Sequence, residues 1–341
     1  MFTCTWAPTV FQGPQLVDRH LGRPPAGERL HAVLGDHARR IEDLGITHLL
    51  VAQRWWGSGE ETEGSSLDCL AMTSYFAGCT SAINLITAIH PGFFQPTVIA
   101  KWAASLNALY PDRWAINVTS GWNLQEFAMY GIDALTHDDR YARSAEFIRV
   151  LRQAWAGQVF NFEGLHYQIR GMQLEPRPTS SLTIYQKGQS PAALQMAGEH
   201  ADWMFLNGGR PEKLSQLISQ ARAEAASHGR QLRFAVYAAP LCADTDALAW
   251  AEIDTRLARL DQGLVQRRQA KVGGAVGMWA GGDDPLTHLD TNEGFCTRLI
   301  GSPATILERI EELRSIGVDM LHLDLRDALF IEHVLPRIHP M

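Results

Sequence analysis

Eight short apolar segments, each followed by a stretch of helical spacing, constrain this chain more than any other feature. The segments lie at 2–6, 48–52, 82–88, 114–118, 182–185, 203–206, 234–240 and 320–324. Their length and apolar character read as buried strands. Helical patterns follow at 29–44, 67–79, 97–109, 141–155, from Pro191 onward, and at 211–228, 247–268 and 302–315. Strict alternation predicts a parallel α/β sheet, and eight repeats predict its closure into a (β/α)8 TIM barrel. Two stretches break the alternation. Residues 159–169 alternate around Glu163-Gly164 and read as a hairpin. The Gly- and Asp-rich run near 272–297 has no clear period and reads as a mobile loop. No Pro/Ser linker divides the chain, so one domain over residues 1–341 is expected.

The alternation says where chemistry belongs, because parallel strands present ligand sites at their C-terminal ends. Asn117-Val-Thr-Ser-Gly-Trp-Asn-Leu-Gln-Glu126 closes the fourth segment with polar residues, a glycine and a tryptophan. A buried Asn beside a flat Trp suits a planar polar ligand; a tight turn with Asn117 bonded to backbone accounts for the pattern equally well. After the fifth segment, Lys187-Gly188-Gln189 leads into Ser190-Pro191, an N-cap and first helical residue. That helix end suits a phosphate, and Gly188 permits close approach, although Ser302-Pro303 shows the same cap elsewhere. In His137-Asp-Asp-Arg140-Tyr141, Arg140 sits in a first helical turn, where a cation opposes the dipole. Either Asp138 and Asp139 neutralise it, or it meets an anion shared with Ser190 and Tyr141.

Gln53-Arg54-Trp55-Trp56 ends the second segment, where the tryptophans either roof a pocket or pack the loop 57–66. His90 ends the third segment at the barrel mouth. His322 and Asp324 share one face of the eighth, and His90 in reach of them would make a metal-hydrolase barrel. No second His cluster supports that alternative. Neither a Gly-x-Gly-x-x-Gly turn nor a Gly-x-Ser-x-Gly elbow is present.

The net charge of −7 with no basic run argues against nucleic acid. No apolar run reaches the roughly 18 residues of a membrane span. The start, Met1 to Trp6, lacks the pattern of a signal peptide. Five cysteines without a Cys-x-x-Cys pair fit a reducing cytoplasm, the expected location.

Together these motifs resemble the bacterial luciferase-like family of flavin-dependent monooxygenases, over nearly the whole chain. The segments that carry the resemblance are Ala115-Ile-Asn-Val-Thr-Ser-Gly-Trp122 with Glu126-Phe127, His137 to Phe147, Gly188-Gln-Ser190, Ala201-Asp-Trp-Met-Phe205 and Leu299-Ile-Gly-Ser-Pro303. They look most like the dimethyl sulfone and pyrimidine monooxygenases, with alkanesulfonate monooxygenases further away. The resemblance implies FMN contacts at Gln53, Arg54, Asn117, Glu126, Arg140, Tyr141 and Ser190. It implies that Arg140, Tyr141 and Ser190 hold the phosphate, with Asn117 beside the flavin ring and Trp122 lining the same pocket. Asn117, Trp122 and His90 are the candidate catalytic residues; no metal is implied. The expected activity is that of a two-component oxygenase using reduced FMN (FMNH2) and O2. A separate NAD(P)H-dependent flavin reductase would supply the flavin, and a homodimer or homotetramer is expected. The expected substrate is a small sulfone or sulfonate cleaved at C–S. The alternatives are a pyrimidine-like nitrogen heterocycle, or FMN binding without catalysis. A deazaflavin-dependent reductase is a weaker option. Two positions depart from the relatives: Ser65 stands about where they carry a histidine, and His90-Pro91 differs. Both lie in loops that shape the substrate pocket.

Overall fold

Eight strands pair in parallel and close on themselves, each joined to the next around the ring. The computed structural model describes residues 1–12, 26–55, 63–133, 135–272 and 284–338. The barrel strands are β1 (Phe2–Trp6), β2 (His48–Val51), β3 (Asn84–Ile89), β4 (Trp114–Val118), β5 (Thr183–Lys187), β6 (Trp203–Leu206), β7 (Arg233–Ala238) and β8 (Met320–Leu323). Each starts and ends within a few residues of the sequence expectation. Between them run α1 (Gly27–Asp43), α2 (Cys69–Cys79), α3 (Pro96–Leu109), α4 (Leu124–Met129), α5 (His137–Trp155), α6 (Pro191–His200) and α7 (Pro211–Ser227). The last barrel crossover holds α8 (Asp246–Ala258), α9 (Gln262–Val272) and α10 (Pro303–Ser315), and the described chain closes with α11 (Ala328–His333) and α12 (Leu335–Ile338).

Alternation along each strand divides the core in two. Outward residues such as Leu49, Leu85, Ile116, Ile184, Val236 and Leu321 pack under the helices. Inward residues fill the barrel: Cys4, Leu50, Ile86, Ala115, Tyr185, Phe205, Ala235 and Met320. Tyr185 stacks between Trp203 and Phe205, at 5.4 and 5.2 Å. The same alternation carries Asn117, Lys187 and Tyr237 to the layer above, where the apolar fill stops and a cavity begins.

The opposite rim is held by side chains that complete the backbone hydrogen bonding of the strand starts. Thr47 Oγ1 accepts from Thr3 N, at 2.9 Å. Asp319 accepts from Phe234 N and Asp202 from Ile184 N, both at 2.9 Å. Asp202 also binds Arg152 and Arg230. Glu42 accepts from the successive amides of Ser81, Ala82 and Ile83.

The expected hairpin is present, with Phe160–Glu163 paired antiparallel to Gln168–Met172. Two expectations need correction. The helix expected over 247–268 is two helices, broken at Arg259–Asp261. Asp261 Oδ1 accepts from Leu264 N and starts the second. Leu264, Val265 and Val272 then turn that helix onto Trp122. Nor is 272–297 one loop. From Asp284 it folds into 3₁₀ turns at Pro285–His288 and Gly294–Thr297. The Asp290 carboxylate supports the start of the second by accepting from the amides of Asn292, Gly294 and Phe295. Residues 273–283 of that stretch lie outside the described residues, as does most of the loop 57–66.

Asp202→Ala removes an anionic acceptor shared by a strand amide and two guanidinium groups. Its expected cost is about 2 kcal/mol, read as a lower urea midpoint with an unchanged slope.

Candidate active site

A cavity of about 1010 Å³ opens at the C-terminal ends of the barrel strands. Among the residues singled out from sequence, Gln53, Arg54, His90, Asn117, Trp122, Arg140 and Tyr141 line it. Two others do not reach the lining. Glu126 is buried in the first turn of α4, and Ser190 is buried at the N-cap of α6, where its Oγ accepts from Ala193 N at 3.2 Å. Trp55 packs a loop instead of roofing the cavity. It stacks on Phe93 with centroids 4.0 Å apart, and Tyr130 Oη donates to its carbonyl. Trp56 lies outside the described residues.

One end of the cavity is suited to an anion. Arg140 is 4 % exposed, yet among the described residues it meets no carboxylate. Its Nε donates to Gly121 O at 3.0 Å and its Nη1 to Leu135 O at 2.8 Å. The neighbouring aspartates are engaged elsewhere, Asp139 with Thr136 and Asp138 with His137. Gly121 makes the first of these bonds possible: at φ +87 it turns the strand end inward, and a Cβ there would meet the Phe127 ring at 2.5 Å. Burial lowers the Arg140 pKa; a guanidinium nevertheless stays protonated in proteins. Gly188, at φ +147, lies against Tyr141; a Cβ would sit 2.6 Å from that hydroxyl. Burial raises the Tyr141 phenol, partly offset by a hydrogen bond with the Ser190 side chain. A buried guanidinium, a phenol, a helix N-terminus and a side-chain-free backbone thus face one place.

Another part of the lining is suited to a planar polar ring. Asn117 is 2 % exposed on the inward face of β4. Its Oδ1 is buried without a hydrogen-bond partner, and its Nδ2 reaches only Thr119 Oγ1, at 3.5 Å. An orphaned buried amide is costly unless a ligand completes it. Two guanidinium groups lie against Trp122, Arg54 at 5.2 Å and Arg268 at 4.8 Å from the ring centroid. Gln53 Oε1 accepts from Cys69 N and fixes the start of α2 beside the cavity.

His90 is held neutral. Burial first, then the charges of Arg54 and Lys187, push its pKa down to about 3. Trp55 Nε1 donates to its Nδ1 at 3.4 Å. The metal arrangement considered from sequence does not assemble. His322 is packed among Trp6, Phe205 and Tyr237, while Asp324 binds Arg326. Among the described residues, no group of three His, Cys, Asp or Glu side chains is placed to hold a metal ion.

Lys187 and Arg268 also line the cavity, and neither was singled out as a site residue from sequence. Lys187 was legible as an inward position two residues beyond Tyr185. Arg268 was not, because the helix break that delivers it is invisible in the apolar period.

The profile of the luciferase-like monooxygenase family matches residues 15–320. The chain is 33 % identical to an FMNH(2)-dependent dimethylsulfone monooxygenase of Pseudomonas fluorescens (strain Pf0-1), over 98 % of this chain and 94 % of that protein. It is 36 % identical to the protein of the same name from Pseudomonas putida, over 89 % and 87 %. Among solved structures, DmoA from Hyphomicrobium sulfonivorans superposes with a TM-score of 0.75 at 19 % identity, covering 99 % of this chain and 87 % of that one. A riboflavin lyase with modified FMN and riboflavin superposes with a TM-score of 0.78 at 20 % identity, covering 99 % and 91 %.

The neutral His90 generates a pH prediction. Its pKa is about 3 in the fold against 6.5 unfolded, so between these values the unfolded chain binds the extra proton. His90's contribution is therefore constant above pH 6.5 and is lost as pH falls toward 3. His90→Gln, which keeps an acceptor for Trp55, should flatten the acid limb of urea midpoint against pH relative to the parent protein.

Proposed function

The chain belongs to the luciferase-like monooxygenase family and is a flavin-dependent monooxygenase working with reduced FMN and O2, and from that premise we propose that it oxygenates a small organosulfur compound, a sulfone or sulfonate, with cleavage of a C–S bond. The two dimethylsulfone monooxygenases similar to it over most of its length support that substrate class. The observation that carries the cofactor site is Arg140, buried at the cavity without a carboxylate and facing the Gly188–Ser190 turn.

In this reading Arg140, Tyr141 and the amides at the start of α6 hold the FMN phosphate. Ser190 acts from behind, capping that helix and fixing the Tyr141 phenol. Asn117 supplies its amide to a polar edge of the flavin ring, which completes the orphaned Oδ1 or the weakly bonded Nδ2. When bound, reduced FMN supplies the two electrons with which O2 gives one oxygen atom to the substrate and the other to water. The chain's task is then to orient ring and substrate and to keep bulk water out. Trp6, Leu50, Ala88 and Trp122 provide apolar wall for this. Glu126 has no direct cofactor contact here and supports the turn from within α4. A separate NAD(P)H-dependent reductase supplies the reduced flavin, as FMNH2 dependence in the similar enzymes supports.

Arg140→Ala and Ser190→Ala should each weaken reduced-FMN binding by more than about tenfold, as hydrogen bonds to charged groups contribute ~1.5–3 kcal/mol. Anaerobic equilibrium titration measures this, and unchanged affinity in both variants would remove the phosphate assignment. For substrate, the loaded enzyme is mixed with O2 and a panel of sulfones, sulfonates and pyrimidines. Release of sulfinate or sulfite is the expected outcome; ring-opened product from a pyrimidine would replace the organosulfur reading.

A further inference from the structure

Lys187 occupies the inward position at the end of β5, one layer above Tyr185, and lines the cavity. Its Nζ donates to a neutral amide, Asn292 Oδ1, at 3.0 Å, and lies 5.6 Å from the Trp6 ring centroid. The chain has four lysines, and the other three, Lys101, Lys213 and Lys271, stand outside the cavity lining. Lys101 and Lys213 are exposed at the surface. The Lys187 pKa is pushed down to about 8 by burial first, then by the charges of Arg54 and Arg268, against the pull of Glu293. His90 and His322, which feel this ammonium, have lowered values of their own.

A desolvated lysine near other cations is a ready nucleophile, because its ammonium has lost the water that stabilises it. The organosulfur reading puts an electrophile in the same cavity. Oxygen added to the carbon beside sulfur, with C–S cleavage, leaves a sulfinate and an aldehyde. Dimethyl sulfone plus one oxygen atom gives methanesulfinic acid and formaldehyde. We propose that Lys187 is a covalent capture site for small aldehydes, above all the one that C–S cleavage releases beside it. The source of the aldehyde rests on the organosulfur reading; the reactivity of the amine does not. The ammonium first gives a proton to solvent. The lone pair of the neutral amine then forms the N–C bond as the carbonyl π pair moves to oxygen. Both amine hydrogens leave with that oxygen as water, a C=N bond remains, and nothing is oxidised or reduced. The apolar wall at Trp6, Leu50 and Ala88 restricts water and favours this dehydration. Water readmitted to the cavity hydrolyses the imine, so capture is reversible and slows turnover while aldehyde persists.

The test uses the whole enzyme loaded with reduced FMN, kept anaerobic, with propionaldehyde and cyanoborohydride, which fixes an imine as a propylamine. Peptide mass mapping then locates the mark. Near neutral pH, Lys187 should be marked more than about tenfold faster than Lys101 or Lys213, since each unit below the ordinary lysine value raises the neutral fraction about tenfold. Lys187→Arg should lose the cavity mark and keep the surface marks. Marking no faster than that of the exposed lysines overturns the proposal. So does marking seen only in flavin-free enzyme, which would set the amine against the flavin. In a second arm, one turnover with O2 and dimethyl sulfone replaces the added aldehyde. Lys187 should then gain a methyl group in step with methanesulfinate release. Sulfinate release without that mark overturns capture. Absence of both, with propionaldehyde still marking Lys187, would retire the organosulfur reading and leave the aldehyde site standing.

Discussion

Closure of a parallel sheet forces every second residue of eight strands into one narrow interior. Apolar side chains can fill that space only up to the level where the strands end. In this protein Tyr185, Phe205, Ala235 and Met320 complete the fill. The next inward positions carry Asn117, Lys187 and Tyr237, which is where the cavity starts. The site is therefore the unfilled top layer of the core. Its polar groups are fixed by the same pleat that buries the residues beneath them.

The barrel was legible because its strands are short apolar runs set between long helical patterns, a spacing that few other folds share. Asn117, Arg140 and Tyr141 were legible as cavity residues for local reasons: a polar strand end, and a cation in a first helical turn, where it opposes the dipole. The aspartate alternative for Arg140 disappears once Asp138 and Asp139 are seen to bind His137 and Thr136. Ser190 and Glu126 are buried behind the cavity lining. A cap serine spends its hydroxyl on its own helix, and sequence pattern does not record which way a buried glutamate turns. The break at Arg259–Asp261 was not legible, since helical residues continue on both sides. What redirects α9 is its contact with Trp122, far away in sequence.

Stability and chemistry are separated along the barrel axis. At one rim Glu42, Asp202 and Asp319 complete backbone hydrogen bonds with carboxylates. At the other, the cavity collects cations, with Arg54, Arg140, Lys187 and Arg268 in its lining. The chain carries a net charge of −7, so the positive interior is a local arrangement and not a reflection of overall composition. Burial first, and then cations of this lining, lower the pKa values of His90 and His322.

Two guanidinium groups from distant parts of the chain lie against Trp122. Arg54 follows a barrel strand, whereas Arg268 rides on a helix set at an angle to its predecessor. An indole's emission depends on the electric field across its ring, so the Trp122 share of the emission depends on where both cations stand. A displacement of α9 relative to β2 would alter that share, one among ten tryptophans, with no label attached.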